Sequence, residues 1–135
     1  MTTQLHLDPA ERVRDALRAA DRMFAVNDDA ATVQANMEHR TGKRIRDRFI
    51  TYHLANPDVY RNLVAAARTL KAAGRERGGI GLLYERLRWL HITGAYGDEP
   101  FKLSNDFRAE YARLIMVQET DLRGFFRLRS LSRVM

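Results

Sequence analysis

Helix punctuation restricts the fold of this chain more than any other feature of its sequence. Asp8-Pro9-Ala10-Glu11 offers a capping carboxylate, a proline at the first helical position and a glutamate three residues after the cap, which together satisfy free N–H groups at a helix start. Asn56-Pro57-Asp58 repeats that signal, and Gly74 suits the left-handed residue that stops a helix. Between these marks apolar residues recur every three or four positions, as Val13, Leu17, Ala20 and Phe24, then Val33, Met37, Ile45, Phe49 and Tyr52, then Val59, Leu63, Ala67 and Leu70. A period near 3.6 gives a helix one apolar face and gives a strand none.

The spacing predicts helices over about 9–25, 30–52, 57–73 and 80–91. Asn27-Asp28-Asp29 closes the first, and Thr41-Gly42 interrupts the second. Glycine costs a helix interior about 1 kcal/mol relative to alanine, so this is either one helix weakened at Gly42 or two helices meeting there. After residue 91 the pattern stops being helical. Gly94, Gly97 and Pro100 punctuate it, and Ile92-Thr93 and Phe101-Lys102-Leu103 can pair as two short strands. Asn105 then caps a helix carrying Phe107, Tyr111, Leu114 and Ile115, and Asp121 caps a last short one with Phe125, Phe126 and Leu128. The expected architecture is all-α, a single domain over 1–135 with five to six helices. The short glycine-bearing turn from Gly74 to Gly79 makes the helices on either side a candidate helix-turn-helix, and the hairpin would make the unit winged-helix-like.

The chain has no cysteine, which excludes a disulfide framework and a thiolate metal site and fits an intracellular protein. No apolar run approaches the roughly 18 residues of a membrane span, and MTTQLHLDPAERVRD lacks a basic region followed by an apolar one. The formal net charge is +6, with Lys43, Lys71 and Lys102 the only lysines. Arginine binds phosphate and guanine bidentately, although a GC-rich genome also favours arginine over lysine throughout a chain. The charge is uneven: residues 1–39 carry 4 basic and 7 acidic groups, 40–88 carry 12 and 4, and 89–135 carry 7 and 6. A basic middle third is the footprint expected of a polyanion site.

Enzyme motifs are absent. His6, His39, His53 and His91 are far apart and form no metal-ligand spacing. Pro57-Asp58 could open a PD-(D/E)-x-K nuclease motif, but Glu76-Arg77-Gly78 and Glu85-Arg86-Leu87 lack its lysine. The glycines from Gly74 to Gly81 precede no Gly-Lys-Ser/Thr, and Ser104, Ser130 and Ser132 lie in no G-x-S-x-G elbow. A non-enzymatic protein without cofactor or metal is the expectation.

Basic motifs carry the remaining signal. In the run from Arg40 to Arg48, Lys43, Arg44 and Arg48 are spaced so that Arg44 and Arg48 share a helix face, suited either to a phosphate backbone or to solvent. Arg75 and Arg77 bracket Glu76 beside Gly78 and Gly79, where the N–H groups of the next helix also point outward. At the C-terminal end Arg123, Arg127, Arg129 and Arg133 alternate with Phe125, Phe126, Leu128 and Leu131, a basic amphipathic end that either touches phosphate or closes the core, the phenylalanines favouring closure.

The helix after Gly79 has two apolar faces. With Ile80 at 0° and about 100° per residue, Leu83, Tyr84, Leu87 and Leu90 fall near 300°, 40°, 340° and 280°, a core stripe. Leu82 and Trp89 fall near 200° and 180°, flanked by Arg86 near 240° and Glu85 near 140°. The favoured reading buries both faces between other helices, because tryptophan is usually well buried. The other leaves Trp89 at the surface beside Arg86, as an anchor for a partner or a second copy of the chain.

Phe49 with His53, Asn56-Pro57-Asp58-Val59-Tyr60, Ala66-Ala67-Arg68, Gly74, Ile80, Glu85-Arg86-Leu87-Arg88-Trp89, Phe101-Lys102-Leu103-Ser104-Asn105, Tyr111-Ala112-Arg113 and Phe125-Phe126-Arg127-Leu128-Arg129 resemble a group of small uncharacterised proteins of bacteriophages and prophages. The resemblance covers about residues 49–129 and implies a phage-encoded protein in the bacterial cytoplasm. It implies no site residues.

These readings lead to a nucleic-acid-binding protein, with double-stranded DNA as ligand. The helix from Ile80 to Trp89 would read bases, Arg75, Arg77, Arg86 and Arg88 would meet DNA, and Arg40, Lys43, Arg44 and Arg48 would touch phosphates. Arg86 and Arg88 lie about 160° apart on the wheel, so both cannot enter one groove. The alternative is a module that binds a host or phage protein through Leu82 and Trp89. A homodimer through that patch fits either.

Overall fold

A computed structural model describes residues 8–24, 40–94 and 103–127. It contains α1 (Pro9–Met23), α2 (Arg40–Ala55), α3 (Pro57–Ala72), α4 (Ile80–Ile92) and α5 (Arg108–Gln118), with single 3-10 turns at Asn105–Phe107 and Thr120–Leu122. The architecture is all-α, and the described residues contain no sheet. The first half of the helix expected over 30–52 lies outside the described residues. Its second half runs unbroken through Gly42.

The local signals act as their chemistry dictates at two ends. Asp8 accepts a hydrogen bond from the Glu11 N–H at 2.8 Å, which starts α1. At the end of α3, Gly74 has φ +98°, its N–H bonds the Lys71 carbonyl, and the Arg75 N–H bonds the Leu70 carbonyl, a Schellman motif. Asn56 departs from expectation. Its side chain caps nothing on α3 and instead donates to the Tyr52 carbonyl at 3.0 Å, sealing the end of α2.

Three expected elements change. Ser104, not Asn105, accepts from the Asp106 N–H at the start of the turn into α5. Ile92 closes α4 and Thr93 lies in a turn, so neither supplies the first strand of the expected hairpin, while Phe101 and Lys102 lie outside the described residues. The segment after Asp121 is not a helix over the described residues. Gly124 turns the chain at φ +80°, and Phe126 forms a parallel bridge with Gly78. Leu128, Arg129, Leu131 and Arg133 lie outside the described residues.

The central element is α5, buried from Glu110 to Met116 on every side and packed on α1, α3 and α4. Around it, Phe49 of α2 meets the Tyr111 ring edge-on at 4.7 Å, and Tyr84 of α4 lies 6.3 Å from the same ring. Helix α4 therefore buries one face only, through Leu83, Tyr84 and Leu87. Burial of both its faces, the favoured expectation, is overturned: Leu82 is 62% exposed, Trp89 67% and Ile92 79%.

A buried charge network ties α1, α2 and α5 together. Arg46 donates to both oxygens of Asp21 at 2.7 and 3.1 Å and of Glu110 at 2.6 and 2.9 Å. Arg113 adds a bond to Glu110 at 2.8 Å and approaches Asp21 at 3.9 Å. Two guanidiniums and two carboxylates cancel in charge. Burial opposes the ionised Glu110, yet the hydrogen bonds and charges of Arg46 and Arg113 outweigh it and hold its pKa below the ordinary value.

Candidate functional site

Arginine pairing decides which cations remain available at the surface. Arg14 pairs with Asp47, Arg18 with Asp15, Arg61 with Asp58, and Arg68 with both Glu119 and Asp121. Together with the buried network, these bonds occupy most carboxylates of the described residues. What stays unpaired is a surplus of positive charge.

The expected DNA-contacting residues fall into two groups. Arg48 pairs with Asp106 at 3.4 Å and lies 5.8 Å over the Phe107 ring. Arg88 is half-buried, bound to Glu85, to Asn105 and to the Leu103 carbonyl at 3.1 Å, with its guanidinium 5.6 Å over the Tyr84 ring. Both are engaged by partners within the fold, Arg48 at the surface and Arg88 more deeply. Lys43, Arg44, Arg75, Arg77 and Arg86 are exposed and have no carboxylate partner among the described residues. Arg40 opens α2. Leu82 and Trp89 share the exposed face of α4 with Arg86.

The tertiary structure adds arginines that lay apart in the sequence. The Gly78 N–H donates to the Phe125 carbonyl at 3.1 Å, and Gly78 bridges Phe126. Arg77 precedes one bridged residue and Arg127 follows the other, while Arg75 and Arg123 lie within three residues of the bridge. All four are exposed and lack a carboxylate partner among the described residues, with Glu76 the only acid on these two segments. Arg108 comes within 3.4 Å of where a Cβ on Gly81 would stand, beside the first turn of α4. Gly79 caps α4 with no side-chain bond, so the first N–H groups of the helix add a partial positive charge.

Gly78 explains why the two segments meet. A Cβ there would stand 2.6 Å from the Phe125 ring and 3.2 Å from Leu70. Only a residue without a side chain lets the Phe125–Phe126 segment close over the core at this point. The bonds of Arg68 to Glu119 and Asp121, and of Lys71 to the Asp121 carbonyl, hold the preceding turn against α3. The amphipathic pattern of the C-terminal end marks Arg123 and Arg127, whereas no local pattern marks Arg108. The glycine pair 78–79 is the one trace of the junction.

No family model, curated protein or solved structure matches the chain.

Proposed function

We propose that the protein is a non-enzymatic, phage-type nucleic-acid-binding protein of the bacterial cytoplasm, which grips phosphates at the junction of Arg75, Arg77, Arg123 and Arg127. The observation that carries this reading is that four exposed arginines without carboxylate partners among the described residues flank one backbone bridge. Guanidiniums bind phosphate oxygens bidentately, and such contacts supply affinity without sequence selection. The residues between α3 and α4, 73–79, exceed the three or four of a helix-turn-helix turn, and Arg88 is tied down, so base reading by α4 forms no part of the proposal.

Fluorescence anisotropy with a labelled random oligonucleotide tests it. Four phosphate contacts to a duplex weaken binding by about 100-fold between ~50 and ~200 mM salt, because each releases condensed counterions. Replacing Arg75, Arg77, Arg123 and Arg127 together with alanine abolishes most of the salt dependence and leaves the fold intact, since all four are exposed. Salt-insensitive binding, or unchanged binding by the quadruple variant, excludes this junction as the phosphate site.

The exposure of Leu82, Trp89 and Ile92 favours one second reading, a host or phage protein docked on α4. It predicts that Trp89→Ala leaves nucleic-acid affinity unchanged.

A further inference from the structure

The exposed face of α4 runs directly from the basic junction. Gly79 adjoins it, Leu82 and Arg86 follow at one-turn spacing, and Trp89 ends the row, about 15 Å along the axis at ~1.5 Å per residue. Arg86 has no carboxylate partner among the described residues, and the one acid of this face, Glu85, is engaged by Arg88. The face is thus cationic, with an indole at its far end that is 67% exposed.

This chemistry fits a duplex poorly. Apart from Arg86 and the single indole N–H of Trp89, the exposed side chains Leu82, Trp89 and Ile92 offer base edges no hydrogen-bonding groups. Placing them in a groove would desolvate base-edge donors and acceptors without replacing most of their hydrogen bonds. An unpaired base presents the opposite requirement, a flat apolar face seeking a ring, with its phosphate on one side.

Resting on the phosphate-binding reading above, we propose that the ligand is a single-stranded nucleic acid and that Trp89 is its stacking platform. Arg86 takes a phosphate between that base and the junction, and Leu82 packs against the sugar or an adjacent base. Because Trp89 is the only tryptophan of the chain, its fluorescence reports this contact alone.

The test uses the full chain with three probes of equal length: oligothymidylate, an abasic strand and a blunt duplex. Oligothymidylate is expected to quench Trp89 and to bind Trp89→Ala about 5- to 150-fold more weakly, the effect of losing one stacked base. Trp89→Phe retains most of the affinity, and the abasic strand binds with the same salt dependence without quenching. Circular dichroism of the variants excludes misfolding. Equal quenching by duplex and single strand overturns the single-strand assignment. Oligothymidylate binding without quenching, and unaffected by Trp89→Ala, overturns the stacking role while leaving phosphate binding in place. Absence of binding by all three probes removes both proposals.

Discussion

Single charged residues behave here according to what surrounds them. Arg46 and Arg48 are two positions apart in one basic run, yet Arg46 is buried between Asp21 and Glu110 and Arg48 is exposed beside Asp106. Removing one member of a buried ion network leaves its partners uncompensated, which costs about 3–5 kcal/mol, whereas an exposed pair contributes about 1 kcal/mol or less. Arg46→Ala should therefore lower the unfolding free energy in urea by about 3–5 kcal/mol, and Arg48→Ala by about 1 kcal/mol or less. Comparable losses would show that the network contributes nothing beyond its packing. Part of this was legible in the sequence, because Arg46 shares a helix face with Phe49 and Ile50, as Asp21 does with Leu17. A charge on an apolar stripe signals burial. Its partners, 25 and 64 residues away, leave no local trace.

Among the elements, the passage from α3 to α4 combines a backbone requirement at Gly74 with a space requirement at Gly78. Gly78 and Gly79 are adjacent and look equivalent, but a Cβ on Gly79 meets nothing within 4 Å while one on Gly78 strikes the Phe125 ring. Gly78→Ala should destabilise the protein by about 1–3 kcal/mol through overpacking, and Gly79→Ala should stay within about 0.5 kcal/mol of the wild type. Thermal unfolding of the two variants decides this, and equal melting temperatures would refute the close contact with the C-terminal segment. The bounds of α1, α3 and α4 were legible because capping and periodicity act within four residues. Whether Phe125 and Phe126 continue a helix or cross to α3 was not, since both choices bury the same rings.

In the whole molecule, stability against acid sums groups spread through the core. Burial lowers the pKa of His53 from 6.5, where its ring stacks on Phe49 at 5.8 Å and its Nδ1 has no hydrogen-bond partner among the described residues. The unfolded chain protonates this group first, so it takes up more protons and stability falls as pH drops below about 6.5. Glu110 is held below its ordinary 4.5, so the stability it contributes is complete above that pH and is lost as pH falls through its folded value. Urea midpoints should decline in two stages, with His53→Phe removing the upper one. A midpoint constant from pH 7 to 5 would contradict it. Much of the basic excess over 40–88 is neutralised within the fold, since Arg46 lies inside and Arg48, Arg61, Arg68 and Arg88 are paired. By itself the sequence determined the helical class, the start of α1, the stop of α3 and the core stripe of α4, because capping, periodicity and glycine conformation depend on near neighbours. Only the tertiary structure decided that α5 is the central helix, that Trp89 faces solvent and that Arg77 and Arg127 flank one bridge. Those outcomes depend on which apolar faces find partners across the molecule, and two faces of similar hydrophobicity look alike until the packing chooses one.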